Sequence, residues 1–321
     1  MKEQSYNKNL VVIIAAVAAT GGLLFGFDTG VISGAIPFFQ QDFHLSNSMV
    51  ENITTAGLVG AVIGAMFTGR LSDIFGRKKT ILSAAIIFVI GAAWSGWAPT
   101  PELLIVSRVF IGLAIGISSF AVPLYIAEIS PTHIRGKLVS LFQLLITIGI
   151  LVSYLSDLAF ANNNNLASWR PMFYMGIVPG LILLIGIFFL PETPRWLMSK
   201  GRETEGLKIL KRIEHPSLIE ESMQRMRDEL EKDKSRASFR EVFRPWLRHA
   251  LIIAVGIMFV QQFVGINTVI YYSPKIFMIV GFQGAHAAIY AAVSVGAVNV
   301  AFTILSLFMI YKLGRRKLYF I

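Results

Sequence analysis

Asp28 stands in the stretch LFGFDTGVISG (24–34), inside an apolar run from Leu10 to Phe39 that holds no other ionisable residue. A carboxyl placed in hydrocarbon costs several kcal/mol unless it is paired or neutralised, so an acid in such a run marks either a functional group or half of a structural ion pair. One base qualifies as its partner. Arg108, in SRVFIG, is the only basic residue well inside an apolar block. Asp28 lies about 15 Å below the end of its run near Phe38, at 1.5 Å per residue. Arg108 lies about 10 Å in from Pro101, where its own block enters from the same side. An acid and a base at one depth, each costly alone, form a pair whose proton affinity is set by two opposed effects. The arginine favours the ionised acid and burial favours the neutral one. A carrier coupled to protons needs such a switch; a permanent salt bridge between helices is the other reading.

A second group is uncharged. QQFVGINTVIYYSP (261–274) places Gln261, Gln262 and Asn267 on one apolar block. In a regular helix Gln262 and Asn267 would face directions about 140° apart, but Gly265 between them and Pro274 beyond allow a broken helix that brings them together. Gln143 and Asn299 are amides on two further blocks. Neutral donors and acceptors without added cations suit a neutral polyhydroxyl ligand better than a phosphate or carboxylate; the alternative is hydrogen-bonding between helices. Tyr271 and Tyr272 offer rings and hydroxyls, either to the aromatic belt at the membrane surface or, for Tyr272, to the ligand. Trp94, Trp97 and Trp169 read as belt residues.

The elements that must position these groups are membrane spans. The chain has 321 residues, 55% hydrophobic and 15% charged, with a mean hydropathy of +0.64. Blocks of about 20 apolar residues match a helix across a bilayer, and eight such blocks occur, at 10–36, 50–69, 80–98, 102–126, 138–159, 172–190, 250–272 and 288–311. The net charge of +10 resides in the connections, so membrane topology accounts for it better than nucleic-acid binding. The absence of cysteine excludes disulfides, thiolate metal sites and a cysteine nucleophile. The charged start followed by small residues has the look of a signal peptide, but its apolar part runs too long, and it reads as an uncleaved first span.

Basic residues mark the cytoplasmic side. Arg70, Arg77, Lys78 and Lys79 follow span two, Arg135 and Lys137 follow span four, and 191–249 is rich in Lys and Arg; the alternate connections hold only Arg170 and Lys275. The N-terminus is therefore expected in the cytoplasm. Asp73, Arg77, Lys78, Glu128, Arg135, Glu192 and Arg195 fall at inner span ends, either as solvated anchors or as a gate that holds the inner side closed. Gly60 and Gly64 in span two, with Gly112 and Gly116 in span four, are spaced for close helix approach. Segment 191–249, with amphipathic stretches such as SLIEESMQRMRDELEKDK, has too little apolar content for its own core and reads as a helical linker packed under the membrane. GRLSDIFGRKK (69–79) and YKLGRRK (311–317, with Arg315) are repeats at equivalent positions if spans seven and eight open a second six-span half.

Together GRLSDIFGRKK, SRVFIG, YIAEISPTHIRG, PETPRWL and QQFVGINTVIYYSP resemble the signatures of the sugar porter family of the major facilitator superfamily, in that family's order and over nearly the whole chain. FGFDTGVISGAIPF and LITIGILVSYLSDLAF are most similar to the bacterial proton-linked symporters for galactose, arabinose and xylose. The resemblance implies an all-α polytopic membrane protein with the major facilitator fold: a six-helix N-terminal bundle (1–190), a cytoplasmic helical linker (191–249) and the first two helices of a C-terminal bundle (250–321). It implies inward, proton-coupled movement of a monosaccharide by alternating access in a bacterial inner membrane, with the proton as coupling ion, no cofactor and no bond chemistry. Asp28 would carry the proton with Arg108 as partner. Gln143, Gln261, Gln262, Asn267, Tyr272 and Asn299 would bind sugar. Asp73, Arg77, Lys78, Glu128, Arg135, Glu192, Arg195 and Arg315 would form the inner network. Two departures accompany it. Tyr311 stands where the second repeat normally has an acid, and the family's last four spans do not appear, so the chain is expected to be a truncated, transport-deficient form. A passive facilitator, a non-transporting sugar receptor and an inert remnant are the alternatives.

Overall fold

A computed structural model describes residues 8–234 and 245–313. All regular structure among them is helical. Helices α1 (Lys8–Ala19) and α2 (Gly21–Asp42) make the first span; α3 (Asn47–Phe75), α4 (Arg77–Trp97), α5 (Pro101–Ile129) and α6 (Arg135–Phe160) make the next four; α7 (Trp169–Met175) and α8 (Ile177–Phe189) share the sixth. Short helices α9 (Pro194–Ser199), α10 (Glu203–Ile213) and α11 (Ile219–Lys234) follow. Helices α12 (Pro245–Phe263) and α13 (Ile266–Val280) form span seven, and α14 (Ala285–Leu313) span eight. All eight expected spans are present, the seventh beginning inside the segment read as linker.

Local chemistry fixes the helix ends. Ser46, Thr100 and Thr193 cap α3, α5 and α9 by accepting the amides of Met49, Leu103 and Trp196, and α5 and α9 each start on proline, which has no amide to satisfy there. Gly76 joins α3 to α4 with φ +97°, a conformation that side chains rarely adopt. At Gly265 (φ +76°) span seven breaks into α12 and α13, while Pro274 stays inside α13.

Two glycine seams hold the six-span bundle. Gly60 and Gly64 of α3 face the carbonyls of Val109 and Leu113 on α5, and Gly112 and Gly116 of α5 face Gly57 and Ala61 of α3. A second seam escaped the sequence reading. Gly22, Gly26, Gly30 and Gly34, every fourth residue of α2, meet Phe142, Ile146, Ser153 and Asp157 of α6. A Cβ at Gly26 would overlap the Ile146 carbonyl, which is backbone and cannot turn aside. Residues Gly26–Phe39 of α2 are all buried, which makes it the central helix.

Helices α9–α11 pack on one another and on the bundle. Met198, Leu210, Ile213 and Met223 join the hydrophobic cluster that contains Val11, Ile126 and Leu138. Helix α13 lies on α2 and α14, and α14 on α6. Helix α12 is exposed along nearly its whole described length.

Gly26→Val is expected to destabilise the bundle by about 1–3 kcal/mol or more, as overpacking does. Gly69→Ala, where the nearest neighbour is the Phe120 ring at 3.9 Å, should change little. Thermal melting of both variants in detergent checks the contrast.

Candidate functional site

Asp28 on α2 and Arg108 on α5 are joined. Both terminal guanidinium nitrogens donate to the two carboxylate oxygens, Nη1 to Oδ1 and Nη2 to Oδ2, the latter at 2.8 Å. The residues are 4% and 1% exposed, so the pair is desolvated. The missing side chain of Gly57 on α3 makes room for the guanidinium, since a Cβ there would stand 3.1 Å from Nη2. The Phe173 ring of α7 lies 5.9 Å from the guanidinium carbon. The Nε of Arg108 is buried without a partner. Thr29, next to Asp28, bonds the Phe25 carbonyl, and Tyr271 of α13 comes close to Thr29 and to the pair. The pair and its neighbours therefore draw on four spans of the bundle and on span seven.

The break at Gly265 brings two of the amides together, with Asn267 Nδ2 donating to Gln262 Oε1 at 2.9 Å. Gln143 and Gln261 are exposed and Asn299 is half-buried; among the described residues no hydrogen bond ties their side chains to that pair. Tyr271 and Tyr272 are packed against the cluster that holds Phe27, Val31 and Phe173, not spread at a membrane surface. Trp169 also departs from the belt expectation. It is fully buried, donates to Asp42 at 2.9 Å, and carries Arg170 over its ring at 4.2 Å. Trp97 is 61% exposed, as a belt residue should be; Trp94 is half-buried against Phe110.

At the opposite end Arg77 is the hub. Its guanidinium donates to Glu128 at 2.9 and 3.0 Å and to Asp73 at 3.2 Å. Thr193 donates to the same Glu128 at 2.6 Å. Glu192 accepts the backbone amides of Arg77, Lys78 and Thr193, so one carboxylate terminates the orphan donors at the start of α4. Gly76 has no side chain because the Glu192 carboxylate occupies that space. Lys78 donates to the Phe188 carbonyl at 2.8 Å. Arg195 and Arg135 lie at this end as well. Arg195 reaches Glu229 on α11 at 3.4 Å, and Arg135 is exposed and lines a cavity of about 220 Å³ with Glu128 and Glu214, without an ion pair to either. Arg315 lies outside the described residues.

Three functional-looking groups were missed. Tyr125 donates to the Pro191 carbonyl at 2.8 Å, Tyr154 donates to the Ile270 carbonyl on α13 at 2.8 Å, and Asp157 is a fully buried acid on α6. Asp157 alone carried a readable signal, as an acid within the fifth apolar block.

The long apolar helices, the buried charge pair between two of them and the broken seventh span define a polytopic helical membrane transporter. The family model for "Sugar (and other) transporter" matches residues 14–321, and the chain belongs to that family, the sugar porters of the major facilitator superfamily. It is 44% identical over 301 residues to the putative metabolite transport protein YwtG of Bacillus subtilis (strain 168), covering 94% of this chain and 64% of that protein. It is 39% identical over 317 residues to the galactose-proton symporter of Escherichia coli (strain K12), covering 98% and 67%. The xylose transporter XylE from E. coli, in a partially occluded inward open conformation, superposes with a TM-score of 0.82 at 32% identity, over 98% of this chain and 75% of that one. The chain spans about two thirds of the length of these curated relatives. Members of this family transport solutes, not transform them.

Arg77→Ala leaves Glu128 (side chain 6% exposed) without its cation and is expected to cost about 3–5 kcal/mol. Asp73→Ala, at a side chain 73% exposed, should cost under about 1 kcal/mol. Melting temperatures of the two variants test this. Burial holds Glu192 above the usual carboxylate range against the pull of the amides and Arg77. A raised folded-state value means that the folded chain holds the proton more tightly. This contribution is full below the unfolded value and is lost as pH rises through the folded one. Melting temperature should therefore fall as pH rises across the mildly acidic range, and Glu192→Gln should flatten that slope.

Proposed function

We propose that this chain forms the six-span N-terminal bundle (1–190), the cytoplasmic linker (191–249) and the first two spans of the second bundle (250–321) of a proton-coupled monosaccharide symporter. It would work by alternating access in the plasma membrane, with its N-terminus in the cytoplasm. The observation that carries the reading is the Asp28–Arg108 pair, desolvated and bidentate, beside Tyr271 of span seven. The relatives named galactose-proton symporter and arabinose-proton symporter support the coupling ion and the substrate class.

As a pair the two groups carry no net charge and tolerate burial. A proton taken up by Asp28 would break the bidentate contact and leave Arg108 a cation in need of a partner. The Phe173 face offers one, because a guanidinium over an aromatic ring retains part of its stabilisation without water. The proton therefore exchanges one arrangement of Arg108 for another, and α2, α5 and α7 are the helices that move with it. The membrane potential adds about 2.3 kcal/mol per charge per 100 mV to inward movement. Gln262 and Asn267, already bonded across the span-seven break, would hold sugar hydroxyls, with Gln143, Gln261, Tyr272 and Asn299 as further contacts. Arg77, Lys78, Asp73, Glu128 and Glu192 would hold the inner side closed.

A passive facilitator is the second reading, favoured by the bidentate contact that neutralises Asp28 and Arg108 against each other. Asp28→Asn in the transporting protein separates the two. Symport predicts loss of uphill sugar accumulation with exchange of sugar across the membrane retained; undiminished accumulation would leave the facilitator reading standing. The 321-residue polypeptide alone is expected to show no sugar-driven proton flux in proteoliposomes, because among the described residues α12, with Gln261 and Gln262, is exposed along nearly its whole length. Robust flux from it would refute that.

A further inference from the structure

Asp157 sits near the end of α6, on the helix face that meets α2. It is 0% exposed, and among the described residues neither carboxylate oxygen has a hydrogen-bond partner. A Cβ built on Gly34 of α2 would overlap the carboxyl, so the two helices are in contact there. Buried polar residues adjoin the position in sequence. Ser33 of α2 and Ser156 of α6 also have buried hydroxyls without partners. Tyr154, one turn earlier, is near Ser33, Asp157 and Ser273 of α13, but spends its hydroxyl hydrogen on the Ile270 carbonyl.

Among the described residues no hydrogen bond or ion pair joins Asp157 to a cation. On α1, which also packs on α6, Lys8 is the first residue of the helix. On α2, Asp28 and Asp42 lie six and eight residues from Gly34 and are engaged by Arg108 and Trp169. On α5, Arg108 is held by Asp28, Glu128 is held by Arg77, and Glu102 lies in the first turn. On α7, Arg170 donates to the carbonyls of Gly96 and Ala98, and Tyr174 packs on Gly96. On α14, His286 uses its amide on Asn163, Tyr290 is 68% exposed, and Lys312 lies in the last turn. On α13, Tyr271 is beside Asp28, and Lys275 bonds Asn47.

A bare carboxylate here would be a buried, uncompensated charge, which costs several kcal/mol. A metal ion would need several oxygens around it, and on one side the carboxyl lies directly against the α2 backbone at Gly34. A proton meets both constraints, because it removes the charge and needs no volume. We propose that Asp157 is a second proton-binding residue of this protein, carrying its proton at neutral pH while α2 and α6 are packed at Gly34. The site is independent of the role given to Asp28, and its test is a spectrum and not a transport assay.

Infrared spectra of the 321-residue chain in lipid nanodiscs, with its aspartates carrying a ¹³C carboxyl, decide it. The expected result is a protonated-carboxyl stretch that shifts with the label, persists at neutral pH, survives in Asp28→Asn and is lost in Asp157→Asn. Should Asp157→Asn not fold, the labelled band in the wild type and in Asp28→Asn still reads the site. Gly34→Ala, which presses the helices apart, is expected to make the band disappear at lower pH than in the wild type. Absence of a labelled band at neutral pH, its survival in folded Asp157→Asn, or an unchanged titration in folded Gly34→Ala would overturn the proposal.

Discussion

Removing Asp28 and Arg108 from water together is the constraint on which the six-span bundle turns. Either charge alone in hydrocarbon is prohibitive, and the pair is tolerable only in good geometry, with two parallel hydrogen bonds and no gap for a third party. Good geometry requires α2 and α5 to stand close, and it requires α3 to leave space behind the guanidinium. Gly57 supplies that space. The Gly60–Gly64 and Gly112–Gly116 seam sets the separation of α3 from α5, so small residues one or two turns from the pair determine where Arg108 stands. In a membrane, where apolar burial does not by itself drive helices together, such close backbone approach is what packing has to offer.

The charged end obeys a different rule. There Arg77 is 8% exposed, but its partners grade from the buried Glu128 to the solvated Asp73. The strongest organising feature is Glu192. It neutralises the first amides of α4 and, by filling the space at Gly76, fixes the turn that α3 and α4 share. This one carboxylate ties the end of span six to the joint between spans two and three. Tyr125 adds span four through the Pro191 carbonyl. The arrangement is a clasp between the ends of spans two, three, four and six, built from contacts that reach from 51 to 115 positions along the sequence.

Eight spans were legible because a bilayer demands length and apolarity that few other contexts require. The ion pair was legible because depth along a helix can be counted. The Gln262–Asn267 contact was legible because only a broken helix could bring those faces together, and a glycine stood at the point of breakage. Helix rotation was not legible, and the misses trace to it. The ridge Gly22–Gly26–Gly30–Gly34 is invisible as a seam until α6 is known to lie against it. Trp169 looked like a belt residue from its place near a span end, yet that end folds inward and buries the ring against Phe39 and Phe173. Arg195 belongs to α9, and its turn toward α11 depends on how the linker helices pack, which charge placement alone does not fix.

The two buried acids share one helix interface system but not one face. Six residues separate Asp28 from Gly34, which places them about 120° apart around α2. Asp28 points to α5 and Arg108, while Gly34 points to α6 and Asp157. A turn or tilt of α2 therefore acts on both at once. It cannot lengthen the contact with Arg108 on one side without changing the fit between Gly34 and Asp157 on the other, because α2 is buried all round and has no free face to absorb the motion. Tyr154 carries that coupling to span seven, since its hydroxyl holds the Ile270 carbonyl one residue before Tyr271, which itself lies beside Asp28.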